Sequence, residues 1–286
     1  MKIAMFGTTL YAGVISSLLA ESGHQVFICN DLQDHTALFN LRDQDVVRAL
    51  EKQHQSGFLS YCNFAALPLD IDAYFFSFNP TQEAEALDVV QKLKMRTIIH
   101  PKLMINASTF GLNGTEKLKA VLTKDHWVYF PDIIQEGQAF KSVTSASKVI
   151  IGCADQQAQG DLEEMLRPLF PRQQQYLFMP VLDAEFTKLS ISGMLATRIS
   201  YMNDLADVAE KLGIDIAHVR DGMAADSRIG ESYLYSGAGF GGENFSHDIL
   251  TLSNTISNTG TKSQLLGQVW DINEQQKEFI FRKLRN

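Results

Sequence analysis

The chain has 286 residues, which allows one large or two ordinary domains, each with its own core. Its formal net charge of −8 argues against broad binding to nucleic acids or anionic membranes, because both need a basic surface. No apolar run approaches the roughly 20 residues that span a bilayer.

The cysteines and the N-terminus bear on location. Cys29, Cys62 and Cys153 are widely separated without metal-ligand spacing, so we predict no metal site. Their odd number suits a reducing compartment better than a disulfide scaffold. A basic second residue before an apolar stretch resembles a signal peptide, but Gly7-Thr8-Thr9 interrupts the stretch and no A-x-A cleavage pattern follows. We therefore expect a cytoplasmic protein.

The N-terminal segment predicts a strand at 2–6, a helix at 10–22 and a strand at 25–29. This is the opening of a dinucleotide-binding fold, in which the first turn carries G-x-G-x-x-G/A and an acidic residue ends the second strand. Gly7 is present and Ala12 is acceptable in the third place. Thr9 replaces the second glycine, where the backbone must approach the pyrophosphate and a β-branched side chain intrudes.

The second strand ends at Asn30, whose side chain can still hydrogen-bond a ribose hydroxyl, and a shift of one residue would put Asp31 there. No arginine follows closely, so nothing indicates NADP. The predicted NAD-binding residues of this segment are Gly7, Thr8, Thr9, Leu10, Tyr11, Ala12, Asn30 and Asp31. Retention and loss of tight NAD binding both stay open.

Strands and helices continue to alternate as far as residue 179. Strands are predicted at 72–78, 97–99, 103–106, 127–130, 149–152 and 175–179, and helices at 81–94, capped by Thr81, and at 156–169. This alternation predicts an α/β fold with a Rossmann-like, doubly wound and mostly parallel sheet covered on both faces. Ligands of such sheets bind at the carboxyl ends of the strands, where Gly7, Asn30, Asn79, Ser108, Thr109 and Asp132 fall.

The pattern becomes helical from Asp183, which can cap a helix that runs to Leu212 and stops at Gly213. One apolar stripe follows it, formed by Leu195, Ile199, Met202, Leu205, Ala209 and Leu212. At about 45 Å the helix exceeds what a small domain needs. The stripe fits core packing or a shared homodimer core, and we favour the dimer.

Further helices are predicted at 216–223, 246–258 and 261–285, the last with a capping box at Thr261 and Gln264. We predict two domains, a Rossmann-like NAD-binding domain at 1–181 and an all-helical dimerisation and substrate domain at 182–286. Between the helices, four glycines fall within Gly237–Gly242. They allow close approach of backbone to a ligand, although a plain glycine-rich connection is the alternative.

Several motifs occur in the order and spacing of one enzyme family. They are Ala-Glu-Phe-Thr-Lys188, Leu-Ala-Thr-Arg-Ile-Ser-Tyr-Met-Asn203-Asp, Asp-Ser-Arg228-Ile-Gly, the glycine loop up to Asp248, Pro131-Asp132-Ile-Ile-Gln-Glu136-Gly, and Ser108-Thr109. On these residues the chain resembles the UDP-glucose/GDP-mannose dehydrogenases. Those enzymes oxidise the C6 alcohol of a nucleotide sugar to a carboxylate with two NAD. We expect the family's third, nucleotide-holding domain to be missing, because the chain stops after the last predicted helix.

The main departure is Asn244, which stands where the family has a nucleophilic cysteine. That thiolate forms a thiohemiacetal with the aldehyde, which permits the second hydride transfer, and a carboxamide cannot form it. The resemblance implies that Lys188 and Asp248 stabilise alkoxide charge, while Ser192 replaces an oxyanion-holding Asn and Asp132 replaces a Glu. A surface helix position is the alternative for Lys188.

The resemblance thus implies three groups of site residues. The catalytic residues are Lys188, Asp248, Thr109, Ser192, Asp132 and Asn244. The further cofactor contacts are Ser108, Thr109 and Glu136. The substrate contacts are Arg228, Tyr233, Leu234, Gly239, Phe240 and Gly241, and for Arg228 a surface role is the alternative.

Two functions stay open. The first is an NAD-dependent oxidoreductase acting on a CH–OH group of a nucleotide sugar in one two-electron step, as Lys188, Thr109 and Asp248 favour. The second is an inactive relative with a degenerate site that binds a nucleotide sugar, a dinucleotide or a partner subunit in polysaccharide biosynthesis. The features that favour it are Thr9, Asn30, Asn244, Ser192 and the expected lack of the third domain. We lean to the oxidoreductase.

Overall fold

A computed structural model describes residues 1–30, 43–96, 101–123, 126–261 and 264–285, with the side chains of 174 and 279–285 excepted. The chain forms two compact units, Met1–Phe186 and Thr187–Asn286. The sequence placed the division before the long helix, after residue 181, whereas the two units divide within that helix.

The described part of the first unit is built on an eight-stranded sheet. Its strands are β1 Lys2–Phe6, β2 Gln25–Cys29, β3 Leu59–Cys62, β4 Ala73–Phe76, β5 Leu103–Asn106, β6 Trp127–Tyr129, β7 Val149–Gly152 and β8 Tyr176–Met179. They lie side by side in the order β3-β2-β1-β4-β5-β6-β7-β8. Neighbouring strands are parallel except β6 and β7. The predicted Rossmann-like, mostly parallel sheet is confirmed.

Helices of the first unit cover both faces of this sheet. They are α1 Leu10–Glu21, α2 Gln44–Gln55, α3 Glu83–Met95, α4 Gly114–Val121, α5 Ala139–Thr144 and α6 Gln156–Leu166. Successive side chains of a strand point to opposite faces. In β1, Ile3 and Met5 accordingly pack into one buried cluster, and Ala4 and Phe6 into another. Both faces are therefore core, as in the doubly wound sheet that the sequence predicts.

Some local predictions differ from the structure. The helix α2 and the strand β3 were not predicted, because α2 is largely polar and β3 spans only four residues. Thr81 is not the cap of α3: it lies in a short 3₁₀ turn, Pro80–Gln82, that follows Asn79, and α3 begins at Glu83. The predicted strand at 97–99 lies outside the described residues.

The helical segments from residue 181 onward are α7 Val181–Leu212, α8 Ile216–Ala225, α9 Glu243–Asn258 and α10 Gln264–Arg285. Asp183 lies within the first turn of α7 and is not its cap. Gly213 follows α7 with a φ of +68°, which fits its predicted role as a helix stop. The capping box at Thr261 spans residues outside those described. No helix within the described ranges is long and apolar enough to cross a membrane.

The predicted apolar stripe of α7 belongs in part to the core of the helical unit. Met202 and Ala209 are buried, and Ile199 packs against a buried cluster that includes Phe240. Leu212, by contrast, is 66% exposed. A second set of side chains at seven-residue spacing, Met194, Tyr201 and Val208, is exposed as well. The exposed apolar side chains of α7 therefore differ from most of the predicted stripe.

Candidate functional site

A cavity of about 610 Å³ opens at the carboxyl ends of β1 and β2 in the first unit. Among its lining residues are Gly7, Thr8, Cys29, Asn30, Phe78, Gln82, Glu85, Asp88 and Lys92. This is the end of a parallel sheet at which ligands bind. Three of the predicted cofactor residues, Gly7, Thr8 and Asn30, therefore share one cavity wall, while Asp31 lies outside the described residues.

Close packing of the first turn explains the glycine at position 7. Gly7 has a φ of +96°, and a Cβ there would lie 1.8 Å from the carbonyl oxygen of Ser77. No other residue fits this geometry without moving the backbone. The first turn thus passes the backbone of Ser77, just after β4, at a distance that only glycine permits.

Thr9 caps α1 instead of projecting toward a ligand. Its Oγ1 accepts a hydrogen bond from the backbone N–H of Ala12 at 3.0 Å and lies 2.5 Å from the hydroxyl oxygen of Ser77. The side chain is buried. The steric intrusion expected from a β-branched residue at this position is therefore not seen, because local hydrogen bonds hold the threonine inward.

Tyr11, two residues further along α1, is buried as well, and Leu10 is half-buried. Burial raises the pKa of the Tyr11 hydroxyl well above its ordinary value, and the nearby Asp132 adds to this shift. The hydroxyl therefore stays protonated at neutral pH and can act there as a hydrogen-bond donor.

The predicted residues at the ends of β5 and β6 hold the strand ends together. Ser108 accepts a hydrogen bond from the N–H of Phe78 at 3.1 Å, and its hydroxyl donates to the carbonyl of Phe76 at 3.2 Å. Thr109 is buried beside it, and its N–H donates to the carbonyl of Phe78 at 3.3 Å. Asp132 is half-buried and accepts from the N–H of Ile134 at 3.1 Å, while Glu136 is exposed.

In the helical unit, Lys188 and Ser192 both donate to one carboxylate oxygen of Asp248. The Lys188 Nζ donates to Asp248 Oδ2 in an ion pair, and the Ser192 hydroxyl donates to the same oxygen at 2.7 Å. Lys188 is 6% exposed and Asp248 is 1% exposed. Lys188 is therefore not a surface residue of the long helix. The cluster forms because Lys188 and Ser192 are one helical turn apart on α7 and face α9.

Two buried oxygens beside this cluster have no hydrogen-bond partner in the described part of the chain. They are Oδ1 of Asp248 and Oδ1 of Asn244, which stand four residues apart on α9. An unmatched buried acceptor costs about 1–3 kcal/mol. Both oxygens are suited to a donor that a ligand or a water molecule brings.

The glycine loop is held in place by side-chain amides of α7 and α10. Asn203 accepts from the N–H of Gly237 at 2.8 Å, and Gln276 donates to the Gly237 carbonyl at 2.7 Å. Asn273 accepts from the N–H of Phe240 at 2.6 Å. The sequence marked Asn203 within a motif but gave no sign of Asn273 or Gln276, because buried amides in a polar helix leave no periodic signal.

The remaining predicted substrate residues are spread over different environments. Arg228 is exposed over 87% of its side chain and pairs with Asp226 at 2.6 Å. Leu234 is buried, and Tyr233 has a φ of +59°, which few non-glycine residues adopt. Gly239 is half-buried, Phe240 is buried and Gly241 is exposed. In the described ranges, no three His, Cys, Asp or Glu side chains are grouped so that they could hold a metal ion.

Comparison with known proteins gives consistent matches. Residues 182–275 match the model of the UDP-glucose/GDP-mannose dehydrogenase family, central domain. The chain is 37% identical over 154 residues to the UDP-glucose 6-dehydrogenase of Pseudomonas aeruginosa, covering 54% of this chain and 34% of that protein. It is 31% identical over 288 residues to the UDP-glucose 6-dehydrogenase of Rickettsia typhi, covering 94% of this chain and 66% of that protein. The chain therefore spans a third to about two thirds of the length of these relatives.

The fold is shared with solved structures. A UDP-glucose dehydrogenase from Pyrobaculum islandicum superposes with a TM-score of 0.83 at 22% identity, covering 96% of this chain and 68% of that one. The family match covers α7, α8, α9 and the first half of α10, and thus the segment that carries Lys188, Asn244 and Asp248. The chain belongs to the UDP-glucose/GDP-mannose dehydrogenase family.

Proposed function

We propose that this chain is an NAD-dependent oxidoreductase that converts a CH–OH group of a nucleotide sugar to a carbonyl in one two-electron step. The observation that carries the proposal is the buried cluster of Lys188, Ser192 and Asp248 in the segment that matches the family. A buried ammonium held by a carboxylate is costly to maintain, and such groups concentrate at functional sites.

The cavity of the first unit supports a dinucleotide as cofactor. Close packing at Gly7 keeps the first turn free of a side chain, and Thr9 is turned inward, so neither residue fills the cavity. Asn30, at the end of β2, would hydrogen-bond a ribose hydroxyl, and the α1 N-terminus would face a phosphate. When bound, the nicotinamide supplies a hydride acceptor.

In the helical unit, Lys188 and Asp248 would act on the alcohol oxygen together. The Lys188 ammonium donates a hydrogen bond that stabilises negative charge as it develops on that oxygen. Asp248 orients Lys188 and Ser192 through Oδ2. Its Oδ1 has no donor among the described residues and would accept the hydroxyl proton.

Asn244 limits the reaction to this first step. Its carboxamide has no nucleophilic atom that could add to a carbonyl and form the covalent adduct needed for a second oxidation. The buried Oδ1 of Asn244 would instead accept a hydrogen bond from the ligand. We expect the carbonyl product to leave without further oxidation.

A second candidate is a non-catalytic relative that binds a nucleotide sugar, a dinucleotide or a partner subunit of polysaccharide biosynthesis. Asn244 favours it, because this position is where the family's nucleophile would stand. In this case the Lys188 cluster would bind sugar hydroxyls without reaction.

The test is calorimetry with NAD⁺ and NADH, followed by a spectroscopic assay of NADH formation with UDP- and GDP-sugars. The oxidoreductase requires cofactor binding and one NADH per sugar, with activity lost on Lys188→Ala. Lys211→Ala, which changes an exposed lysine at the end of the same helix, is the matched control and should keep full activity. Absence of cofactor binding at millimolar concentration would leave a non-catalytic relative that binds a nucleotide sugar or a partner subunit. Two NADH per sugar would contradict the single step.

We also infer that the chain forms a homodimer through the long helix at 183–212, in the cytoplasm. The exposed Met194, Tyr201 and Val208 lie along one side of α7 and suit an apolar contact with a second copy. Tyr201→Asp should convert a dimer to a monomer in analytical ultracentrifugation, while Glu210→Gln on the same helix should not. A wild-type chain that sediments as a monomer would refute this inference.

A further inference from the structure

Two thiols stand side by side where β2 and β3 end. Cys29 and Cys62 are the last residues of these parallel strands and are direct partners in their register. Neighbouring strands lie about 4.8 Å apart, and disulfides join Cα atoms that are about 4.4–6.8 Å apart. Both side chains belong to the same apolar cluster, so they lie on the same face of the sheet. The backbone spacing therefore already suits a disulfide.

Both thiols can be reached by a small oxidant. Cys29 lines the cavity of the first unit, and Cys62 is half-buried beside it. Neither residue is in a disulfide in the structure, and the same holds for Cys153. The proposed reaction assigns no chemical step to either thiol.

The surroundings of Cys62 favour its thiolate. A hydrogen bond from Cys29 lowers the pKa of Cys62, burial opposes the shift, and the positive charge of Arg96 lowers the pKa further. Arg96 is held in place because it donates to the backbone carbonyls of Phe64 and Leu67. The thiolate is the form that attacks oxidants, so Cys62 is the expected first site of reaction.

We propose that Cys29 and Cys62 form a redox-sensitive dithiol, which a hydroperoxide converts to a reversible disulfide joining β2 to β3 at the cavity wall. In the first step the Cys62 thiolate attacks hydrogen peroxide, the O–O bond breaks, hydroxide leaves and a sulfenic acid forms. In the second step the Cys29 sulfur attacks the Cys62 sulfur, the S–O bond breaks, and the oxygen leaves as water with the Cys29 proton. One peroxide is reduced to two waters while two thiols are oxidised.

The disulfide would affect the cavity because β2 leads directly into Asn30, which lines it. Asn30 follows Cys29 directly, and its N–H already donates to the Cys62 carbonyl at 2.9 Å. A covalent link between the two strand ends would fix this corner of the cavity wall. This chemistry does not depend on the proposed function, because it needs neither cofactor nor sugar.

The experiment uses the full chain, fully reduced and then treated with hydrogen peroxide, with remaining thiols alkylated before peptide mass spectrometry. We expect free thiols to fall from three to one per chain, with a linked Cys29–Cys62 peptide that dithiothreitol separates again. The remaining thiol should be Cys153. Burial raises the pKa of Cys153, and its thiol donates to the carbonyl of Asp155 at 3.3 Å.

Two variants sharpen the result. Cys153→Ser, the matched control, should form the same linked peptide as the unaltered chain. Cys29→Ser should leave Cys62 as a sulfenic acid, which dimedone traps in greater yield than in the unaltered chain. The proposal is overturned if the unaltered chain keeps three thiols, if Cys62 is oxidised without a link to Cys29, or if the linked pair is between two chains. These outcomes are read from the unaltered chain, so they hold even if Cys29→Ser does not fold.

Discussion

The side-chain amide of Asn273 hydrogen-bonds both the N–H and the carbonyl of the Phe240 backbone. The Asn273 Oδ1 accepts from the Phe240 N–H at 2.6 Å, and the Nδ2 donates to the Phe240 carbonyl at 3.1 Å. A Cβ at the neighbouring Gly239 would lie 2.4 Å from the same Oδ1. The glycine is therefore needed so that α10 can reach the loop. Side-chain amides of α7 and α10 therefore hold the backbone of this loop.

Asn273→Ala should destabilise the helical unit and loosen the glycine loop. The change leaves the N–H and carbonyl of Phe240 buried without their partner, and each such group costs about 1–3 kcal/mol. Urea unfolding followed by circular dichroism measures the loss. Asn254→Ala, at an exposed position of α9, is the control and should change stability by less than about 0.5 kcal/mol. Equal effects of the two changes would contradict the assigned role of Asn273.

Asp248→Ala should be among the most costly substitutions in the helical unit. It leaves the Lys188 ammonium buried without its carboxylate, and breaking a buried pair in this way costs about 3–5 kcal/mol. The double change Lys188→Met with Asp248→Leu removes both charges, so it should recover most of that loss. Chemical unfolding of Asp248→Ala, Asp248→Leu, Lys188→Met and the double variant checks this, the last three forming a double-mutant cycle with the unaltered chain. If the double variant is as unstable as Asp248→Ala, the stranded charge is not the cause.

The fold could be predicted from the sequence where a short apolar run with clear ends marked a strand. Buried strands such as 2–6 and 149–152 are short apolar runs ended by glycine or polar residues, and their bounds agree with the structure. The start of α3 was misplaced because Asn79 and Pro80 begin a 3₁₀ turn first, which a helical pattern does not distinguish from a cap. Likewise, the apolar stripe on α7 did not indicate which of its residues the other helices of the unit would bury.

The site could be predicted only through the motifs. Lys188 and Asp248 are 60 residues apart in sequence, and nothing in composition indicates that they pair. The resemblance marked both positions, and the structure brings them together with Ser192. Thr9 shows the opposite case, because its role as a helix cap depends on a local hydrogen bond that a residue-type pattern does not contain.

Gly7→Ala should prevent correct folding of the first unit or destabilise it severely. The added Cβ would lie 1.8 Å from the Ser77 carbonyl oxygen, so the backbone of β1 or of the segment after β4 must move. Gly57→Ala is a close control, because Gly57 has a similar φ of +81° with no atom within 4 Å of the added Cβ. The control should cost only the strain of its φ, about 1–3 kcal/mol. Thermal unfolding compares the two, and similar losses would contradict the assigned contact.

Glu185 should make the stability of the first unit depend on pH. Burial raises the pKa of this carboxyl, although it accepts hydrogen bonds from the N–H groups of Asn113 at 2.7 Å and Thr115 at 2.9 Å. Because the folded chain holds this proton more tightly than the unfolded chain, the contribution to stability is full below the ordinary glutamate pKa. It is lost as pH rises through the raised pKa of the folded state.

Glu185→Gln removes this titration. The free energy of unfolding of the unaltered chain, relative to the glutamine variant, should therefore fall as pH rises from about 4 to about 7. Urea unfolding across that range measures the difference. Glu164→Gln, at an exposed position of α6, is the control for the loss of one carboxyl group. A flat profile for Glu185→Gln would contradict the raised pKa.

Asn244→Cys tests whether the missing nucleophile alone limits the proposed reaction. The new thiol would stand in the first turn of α9, where the helix N-terminus lowers a thiol pKa, and one turn before Asp248. If the site otherwise binds the sugar as we propose, the thiolate can add to the carbonyl product and allow a second oxidation. The yield should rise from one to two NADH per sugar, measured by absorbance at substrate exhaustion. Asn244→Ser, which offers a far weaker nucleophile, should stay at one. A cysteine variant that is alkylated readily but still yields one NADH would show that Asn244 is not the only barrier, and that the groups around Lys188 have also diverged from four-electron chemistry.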